Sequence, residues 1–305
     1  MTLGVILYQT FQKKQQNITE LLDEFSKVFN QKNLIKICLV FSLIFVNWAC
    51  EARKWQILMN RFEKLSFIDA YKSVLVGLTL GFITPASLGD FAGRTISLTK
   101  SNRSAGIGKN LFGNGIQFYV TLLFGILSYL IIWNKNISKF DQLIFALLIF
   151  CSVLGIVIFS NRNKILSFTY RFSWIKTYQN YVKALFEFEN KDFAKVFIWT
   201  ILRFLTYSFQ FVIMLQIFQI EVKWIDLWAI SCLILLFKTI IPQVNFLTDL
   251  GIREISALHF FSFYSVNIPS IITATFALWI INIFLPVLVG GLLLLKMKNI
   301  NKSIS

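Results

Sequence analysis

The chain has 305 residues and a formal net charge of +15, with 56% hydrophobic and only 15% charged residues. A soluble domain carries about 25% charged residues, so side chains this apolar could not be covered in water. The mean hydropathy of +0.65 agrees. The composition therefore predicts an integral membrane protein and excludes a soluble enzyme.

The positive charge does not predict nucleic-acid binding, because the basic residues lie mainly between apolar segments, as in loops that face anionic lipid headgroups. The chain has one histidine, His259, and no CxxC pair. It therefore predicts no metal site, no disulfide framework and no cofactor. The four cysteines are interpreted as small core residues: Cys38, Cys50, Cys151 and Cys232.

The N-terminal residues 1–11 are apolar but too short to span a membrane. They have neither the basic region nor the cleavage site of a signal peptide. We interpret them as part of a first helix that is vestigial or whose start is missing because the chain begins at an internal Met. Residues 12–33 predict a polar linker with helical spacing.

Several later segments approach the roughly 20 apolar residues that a spanning helix needs. They predict an all-α, polytopic transmembrane helix bundle with about six to seven spans and two re-entrant or broken segments, followed by a tail at 296–305. Because no loop is long enough to fold alone, 1–305 is predicted to be a single membrane domain. The apolar segments are 34–50, 68–83, 111–133, 140–160, 193–218, 225–241, 255–266 and 268–295.

The basic loop 161–192 is predicted to be cytoplasmic by the positive-inside rule. Loops 51–67 and 84–110 are also basic, and both can be cytoplasmic only if 68–98 enters the membrane and returns on the same face. A re-entrant hairpin is therefore predicted there. If 243–266 is also re-entrant the tail lies outside, whereas a crossing by 255–266 places the tail inside; both remain open.

The segment GLTLGFITPASLGDFAGR at 77–94 carries the first candidate site. Pro85 breaks a helix, and Gly89 permits the turn after it. Asp90 and Arg94 are four residues apart and would share a helix face. Because a broken helix at membrane depth must line a cavity or be buried in protein, this acid and base predict a functional site. The alternative is a kinked helix end with a surface ion pair.

The segment PQVNFLTDLGIRE at 242–254 has a similar pattern, with Asp249 and Arg253 four residues apart and Glu254 beside them. Two broken segments are typical of transporters built from structural repeats, although the spacing from Pro to Gly is four residues in the first and nine in the second. The hinge candidates of both segments are Gly81, Pro85, Gly89, Pro242 and Gly251.

Three further cations lie in or beside apolar segments. Arg203, near the middle of 193–218, is costly there and should face the bundle interior, with Asp90, Asp249 or Glu254 as candidate partner. Arg53 either contributes to the site or extends to the membrane interface. Lys238 is predicted to reach the cytoplasmic interface. The uncharged polar residues within spans are predicted to join helices: Asn114, Gln117, Gln210 and Asn282.

Three stretches resemble the flippase-like family named for the transmembrane region of lysylphosphatidylglycerol synthase. They are NWACEARKWQILMNRF at 47–62, GFITPASLGDFAGR at 81–94 and PQVNFLTDLGIREISAL at 242–258. The resemblance covers 34–295, lacks most of the family's first helix and is less rich in glycine and proline at the third stretch. It implies movement of lipids with polar or modified headgroups between leaflets. It does not imply lysyl transfer, because no aminoacyltransferase domain is predicted in 1–305.

The resulting hypothesis is a lipid translocase in which a phosphate-bearing headgroup enters a polar cavity between the two broken segments. Arg94 and Arg253 would bind the phosphate, since guanidinium groups pair with phosphate in fork geometry. Asp90 and Glu254 would hold these arginines or meet a cationic headgroup, and Arg203 would compensate charge midway. Asp249 belongs to the same predicted site.

The expected partners are anionic or headgroup-modified phospholipids or lipid-linked sugars, and the expected location is a bacterial cytoplasmic (inner) membrane. One alternative is a membrane anchor for a separately encoded synthase or glycosyltransferase. Another is a headgroup-modifying enzyme with Asp90 or Glu254 as general base, for which the sequence shows no nucleophile–base pair, nucleotide loop or metal cluster.

Overall fold

The computed structural model describes residues 28, 31–133, 138–169, 171, 179–186, 188–244 and 246–304. Over these residues the chain forms helices and turns and contains no β-strand. The predicted all-α fold is therefore confirmed. The predictions for 1–11, and for most of the linker 12–33, lie outside the described residues.

The long helices follow the apolar segments of the sequence, and short helices also form within the basic segment 161–192. Their bounds are α1 (Leu34–Met59), α2 (Phe67–Ile83), α3 (Gly89–Thr95), α4 (Arg103–Ile132), α5 (Lys139–Ser160), α6 (Arg162–Thr169), α7 (Gln179–Phe186), α8 (Asn190–Ile217), α9 (Trp224–Ile240), α10 (Phe246–Phe261), α11 (Ile268–Trp279) and α12 (Leu285–Ile304). A 3₁₀ turn at Pro85–Ser87 precedes α3, and a π-helical turn at Ile280–Phe284 joins α11 to α12.

Five helical segments of the described chain are long and apolar enough to cross a membrane: α1, α4, α5, α8 and the continuous stretch Ile268–Lys296. The predicted span 225–241 corresponds to α9, a helix of 17 residues that turns back through α10 instead of crossing the bundle. The first span is longer than predicted, because α1 continues to Met59 through Glu51 and Lys54, whose charges neutralise each other inside the bundle.

Contacts between distant segments define the two ends of the bundle. At one, here called the basic end, Arg61 forms an ion pair with Asp192, 3.1 Å away, and Asn102 donates to Glu63. That hydrogen bond keeps the pKa of Glu63 below its usual value. The other, here called the distal end, holds the end of α4 and the start of α5.

The segment α2–α3 is a hairpin that begins and ends at the basic end. The chain leaves that end along α2, reverses at Pro85–Ser87 and returns along α3 until Thr99 donates to Glu63, 2.9 Å away. The same-face return predicted for 68–98 is therefore confirmed. Within this hairpin the residues with positive φ are Ala86 and Ser87, at 51° and 55°, so the turn precedes Gly89, which is the first residue of α3.

The helices α9 and α10 form a second hairpin, which opens at the distal end. His259, near the end of α10, contacts Asp141 at the start of α5, 3.2 Å away. The break follows α9 at 241–244, which contains Pro242. Gly251 lies inside α10 and is not part of the break.

The second hairpin decides the question that the sequence left open for 255–266 and the tail. Because α10 returns to the distal end, α11 starts there and the chain runs back towards the basic end. Val287 of α12 accepts a hydrogen bond of 2.8 Å from Thr79 of α2, and Gly290 packs against Leu75, one turn nearer the basic end. The tail therefore lies at the same end as the basic loops.

The two hairpins enter from opposite ends and meet at their turns. The backbone N–H of Ala86 donates to the carbonyl oxygen of Val244, 3.2 Å away. Opposed hairpins that meet inside a helical bundle are the arrangement produced by inverted repeats in transporters.

Three of the four polar residues predicted to join helices do so, Gln117, Gln210 and Asn282, whereas Asn114 forms no hydrogen bond with any described residue. Asn282, in the π-helical turn, donates to Gln210 of α8 over 2.7 Å, and Gln210 donates to the carbonyl of Val40 in α1 over 2.7 Å. The prediction for the cysteines is correct for Cys50 and Cys232, which are buried. It is wrong for Cys38 and Cys151, whose side chains lie on outward faces of α1 and α5.

The close approach of α2 and α3 generates a prediction for Gly93. A Cβ atom at Gly93 would lie 2.5 Å from the Cα atom of Gly77, so Gly93→Ala must push the two backbones apart. We expect a loss of about 1–3 kcal/mol of stability, as for other overpacked sites, measured by thermal unfolding in detergent micelles. Gly115→Ala on α4 is the matched control, because an added Cβ atom there would meet no atom of another described part of the chain within 4 Å. An equal melting temperature for both variants would contradict the packing described.

Candidate functional site

A cavity of about 370 Å³ lies where the two hairpins meet. Its size is in the range of about 300–1,000 Å³ typical of small-ligand sites. Both turns contribute to its wall, together with α1, α4, α8 and α11. The charged residues that line it are Asp90, Arg94, Arg203, Lys238 and Asp249, and the aromatic ones are Trp48, Phe82, Phe91 and Trp279.

The carboxylate of Glu51 forms the centre of a buried charge network behind this cavity. It is fully buried on α1 and contacts Arg94 of α3 at 2.7 Å and Arg203 of α8 at 2.5 Å. Lys54, one turn later on α1, lies 2.7 Å from Oε2 of Glu51, the oxygen that Arg203 also contacts. One carboxylate thus pairs with three cations from three helices. These ion pairs connect the first hairpin to the long spans α1 and α8.

Arg94 also holds the acid of its own helix. Its Nε atom donates to Asp90 over 2.9 Å, the i, i+4 pair that the sequence predicts. The second oxygen of Asp90 accepts a hydrogen bond of 2.9 Å from Asn110 of α4. The guanidinium of Arg94 is therefore oriented between Glu51 and Asp90, with its side chain almost fully buried.

The second hairpin carries a matching cluster around Asp249. Arg253 lies one turn later on α10 at 3.1 Å and also donates to the Tyr207 hydroxyl of α8. Trp279 of α11 donates to Asp249 over 3.0 Å, and Lys238 of α9 lies 3.8 Å away. Each hairpin thus presents an aspartate to the cavity and holds it with an arginine on the next helical turn.

The structure brings five of the predicted site residues to this cavity or directly behind it: Asp90, Arg94, Arg203, Asp249 and Arg253. Arg53 is elsewhere, exposed on the opposite face of α1, where it donates to Gln56 and stacks over Phe67. Glu254 does not line the cavity and forms no ion pair with any described residue.

Two expectations about partners are wrong. Arg203 pairs with Glu51 and not with Asp90, Asp249 or Glu254, because α8 packs along α1 and faces its buried side. Lys238 does not reach the basic end. The chain breaks one turn after it, and the side chain therefore remains at the cavity beside Asp249.

Glu51 and Lys54 were missed because they follow the apolar run and look like the charged end of a span. A signal for them was nonetheless available. Trp48, Glu51 and Trp55 recur at helical spacing and are all buried, so they form one inward face of α1. Extending the helix beyond residue 50 would have placed Glu51 inside the bundle and Arg53 outside.

The site combines cations with carboxylates and resembles a binding site for a polar group. Arg203, whose guanidinium also lies over the Trp48 ring at 5.2 Å, and Lys238 reach the cavity from two long helices. Among the residues described, no three His, Cys, Asp or Glu side chains gather as a metal site requires. The contact of His259 with Asp141 lies at the distal end, away from the cavity.

The model of the family described as "Lysylphosphatidylglycerol synthase TM region" matches residues 5–290, which include both hairpins and every residue of the cavity. A search of curated proteins and a search of solved structures each found no match. Because the family model covers most of the chain, the chain belongs to this family. It is an integral membrane protein domain linked to lipid metabolism.

The network around Glu51 predicts the effect of removing its charge. Glu51→Gln keeps the side-chain shape but leaves Arg203 and Lys54 without a carboxylate, and breaking a buried pair costs about 3–5 kcal/mol. We expect the melting temperature in detergent to fall by roughly 10 °C. The double variant with Arg203→Gln should recover part of that loss, because it removes one of the cations left unpaired.

The control for this experiment is Glu189→Gln. Glu189 is exposed at the basic end, where it pairs with Arg61, and exposed pairs contribute about 0–1 kcal/mol. Equal melting temperatures for Glu51→Gln and Glu189→Gln would show that the buried network is not needed for stability.

Proposed function

We propose that this member of the lysylphosphatidylglycerol synthase transmembrane-region family binds the phosphate-bearing headgroup of a lipid and moves it between the leaflets of a bacterial cytoplasmic membrane. The observation that carries the proposal is the charged cavity between the turns of two hairpins that enter from opposite ends. Because the two hairpins enter from opposite ends of the bundle, a polar site between their turns is within reach of both membrane faces.

The headgroup contacts would come from the cations that reach the cavity. Arg203 and Lys238 are the most exposed of these, and they lie on different helices, so that a phosphate between them meets charge from two sides. Arg94 lines the cavity and is held by carboxylates, which fixes the plane of its guanidinium group. Such a preoriented fork binds phosphate oxygens with little loss of side-chain freedom. Arg253 lies behind the cavity, where it holds Asp249.

Movement would come from the hairpin turns. A charged group in the centre of a bilayer costs several kcal/mol or more, and the cavity would reduce this cost by replacing water with fixed cations. In the part of the chain that the structure describes, one backbone hydrogen bond joins the turns, from Ala86 to Val244. Separation of the turns would open a path for the headgroup while the acyl chains remain in the surrounding bilayer.

The two exposed cations allow a direct test of transport. Vesicles containing the purified protein and a fluorescent anionic phospholipid are treated with an impermeant quencher, which reports the lipid that reaches the outer leaflet. We expect Arg203→Gln and Lys238→Gln each to slow this exchange about tenfold, equivalent to about 1.4 kcal/mol.

Arg61→Gln is the matched control, because Arg61 lies at the basic end, outside the cavity. Its exchange rate should equal that of the unaltered protein. Exchange no faster than in protein-free vesicles would reject transport and favour the anchoring role beside a separately encoded synthase.

The contact between the turns generates a second test. A cysteine pair made by Ala86→Cys with Val244→Cys, in a chain whose outward Cys38 and Cys151 are replaced by alanine, should form a disulfide on mild oxidation. We expect the oxidised protein to retain lipid but to stop exchanging it, and reduction to restore exchange. Unchanged exchange in the oxidised protein would contradict movement of the turns against each other.

A further inference from the structure

The formal charges around the cavity do not balance. Among the described residues, five cations lie at it or directly behind it, against three carboxylates, so the group has two positive charges in excess. The cations are Lys54, Arg94, Arg203, Lys238 and Arg253, and the carboxylates are Glu51, Asp90 and Asp249. Glu254 does not reduce this excess by contact, because it forms no ion pair with any of the five.

The carboxylates are already engaged by groups of the protein. Glu51 is shared by three cations, Asp90 accepts from Arg94 and Asn110, and Asp249 accepts from Arg253 and Trp279. None of them is left to neutralise a cationic headgroup. The excess therefore has the sign that attracts an anion and repels a lipid whose headgroup ends in an amine.

The excess positive charge is most accessible at the two cations whose side chains are exposed to the cavity. The side chains of Arg203 and Lys238 are 22% and 30% exposed, whereas those of Arg94 and Arg253 are only 8% and 2% exposed. A buried cation without a counter-ion is costly, and the membrane interior supplies no dissolved counter-ions. A ligand with two negative charges would balance both.

We propose that the cavity selects a lipid whose headgroup carries a doubly charged phosphate, that is, a phosphate monoester or a diphosphate, over the singly charged phosphodiester of an ordinary phospholipid. This inference rests on the proposed headgroup site and names its substrate class. A phosphate monoester carries about −1.5 to −2 charges at neutral pH, since its second pKa is about 6, and a diester carries one.

The test compares two lipids that differ by one methyl group. Binding of phosphatidic acid and of phosphatidylmethanol with the same acyl chains is measured on the purified protein in micelles by native mass spectrometry. Phosphatidylcholine serves as the zwitterionic reference. We expect phosphatidic acid to bind about tenfold more tightly at pH 8, and the two anionic lipids to bind alike at pH 5, where both carry one charge.

Variants then place the preference in the cavity. Lys238→Gln and Arg203→Gln each reduce the excess to one charge and should bring phosphatidic acid and phosphatidylmethanol to similar affinity at pH 8. Arg61→Gln at the basic end should keep the tenfold preference. A preference that survives both cavity variants would overturn the assignment to this site.

The remaining outcomes separate the inference from the proposed function. Equal binding of the two anionic lipids, lost in the cavity variants, would overturn the doubly charged class and leave the headgroup site intact. No preference for either anionic lipid over phosphatidylcholine would reject both. A further arm adds inorganic phosphate: displacement of phosphatidic acid at equal concentration would assign the cavity to a soluble anion instead of a lipid.

Discussion

The buried carboxylate of Glu51 is the interaction on which the arrangement of the first hairpin and the long spans depends. It joins α1 to Arg94, 43 residues later, and to Arg203, 152 residues later. Each of these charges alone would be costly in the bundle interior. Because they share one carboxylate, the cost of burying them is offset only when α1, α3 and α8 are all in place. The packing of these helices and the electrostatics of the cavity therefore have one cause.

The second constraint is the backbone of the two turns. Peptide groups that leave helical geometry at membrane depth must be satisfied by protein or by a water-filled cavity. Here Ala86 donates to Val244, so that each hairpin satisfies part of the turn of the other. The broken helices thus require each other, and the polar space that remains between them is the cavity. The charged residues lie around this cavity because each can pair there with a group of opposite charge.

Local chemistry in the sequence was enough to identify much of this site. The pairs Asp90–Arg94 and Asp249–Arg253 follow from the four-residue spacing on a helix, and the inward position of Arg203 follows from the cost of a charge in an apolar span. Glu51 did not follow, because an acid next to Arg53 and Lys54 resembles the charged end of a helix. The helical spacing of Trp48, Glu51 and Trp55 indicates that it is buried. Its partners, however, are cations far along the chain, which local spacing does not identify.

By itself, the sequence determined that the protein is a helical membrane domain and that two of its segments are broken, since hydropathy and helix-breaking residues act locally. Only the tertiary structure decided that the second hairpin opens at the distal end, that the tail lies at the basic end and that Lys238 reaches the cavity. These features depend on which helices pack together. That choice is made by contacts such as the one from Ala86 to Val244, between segments far apart in the chain.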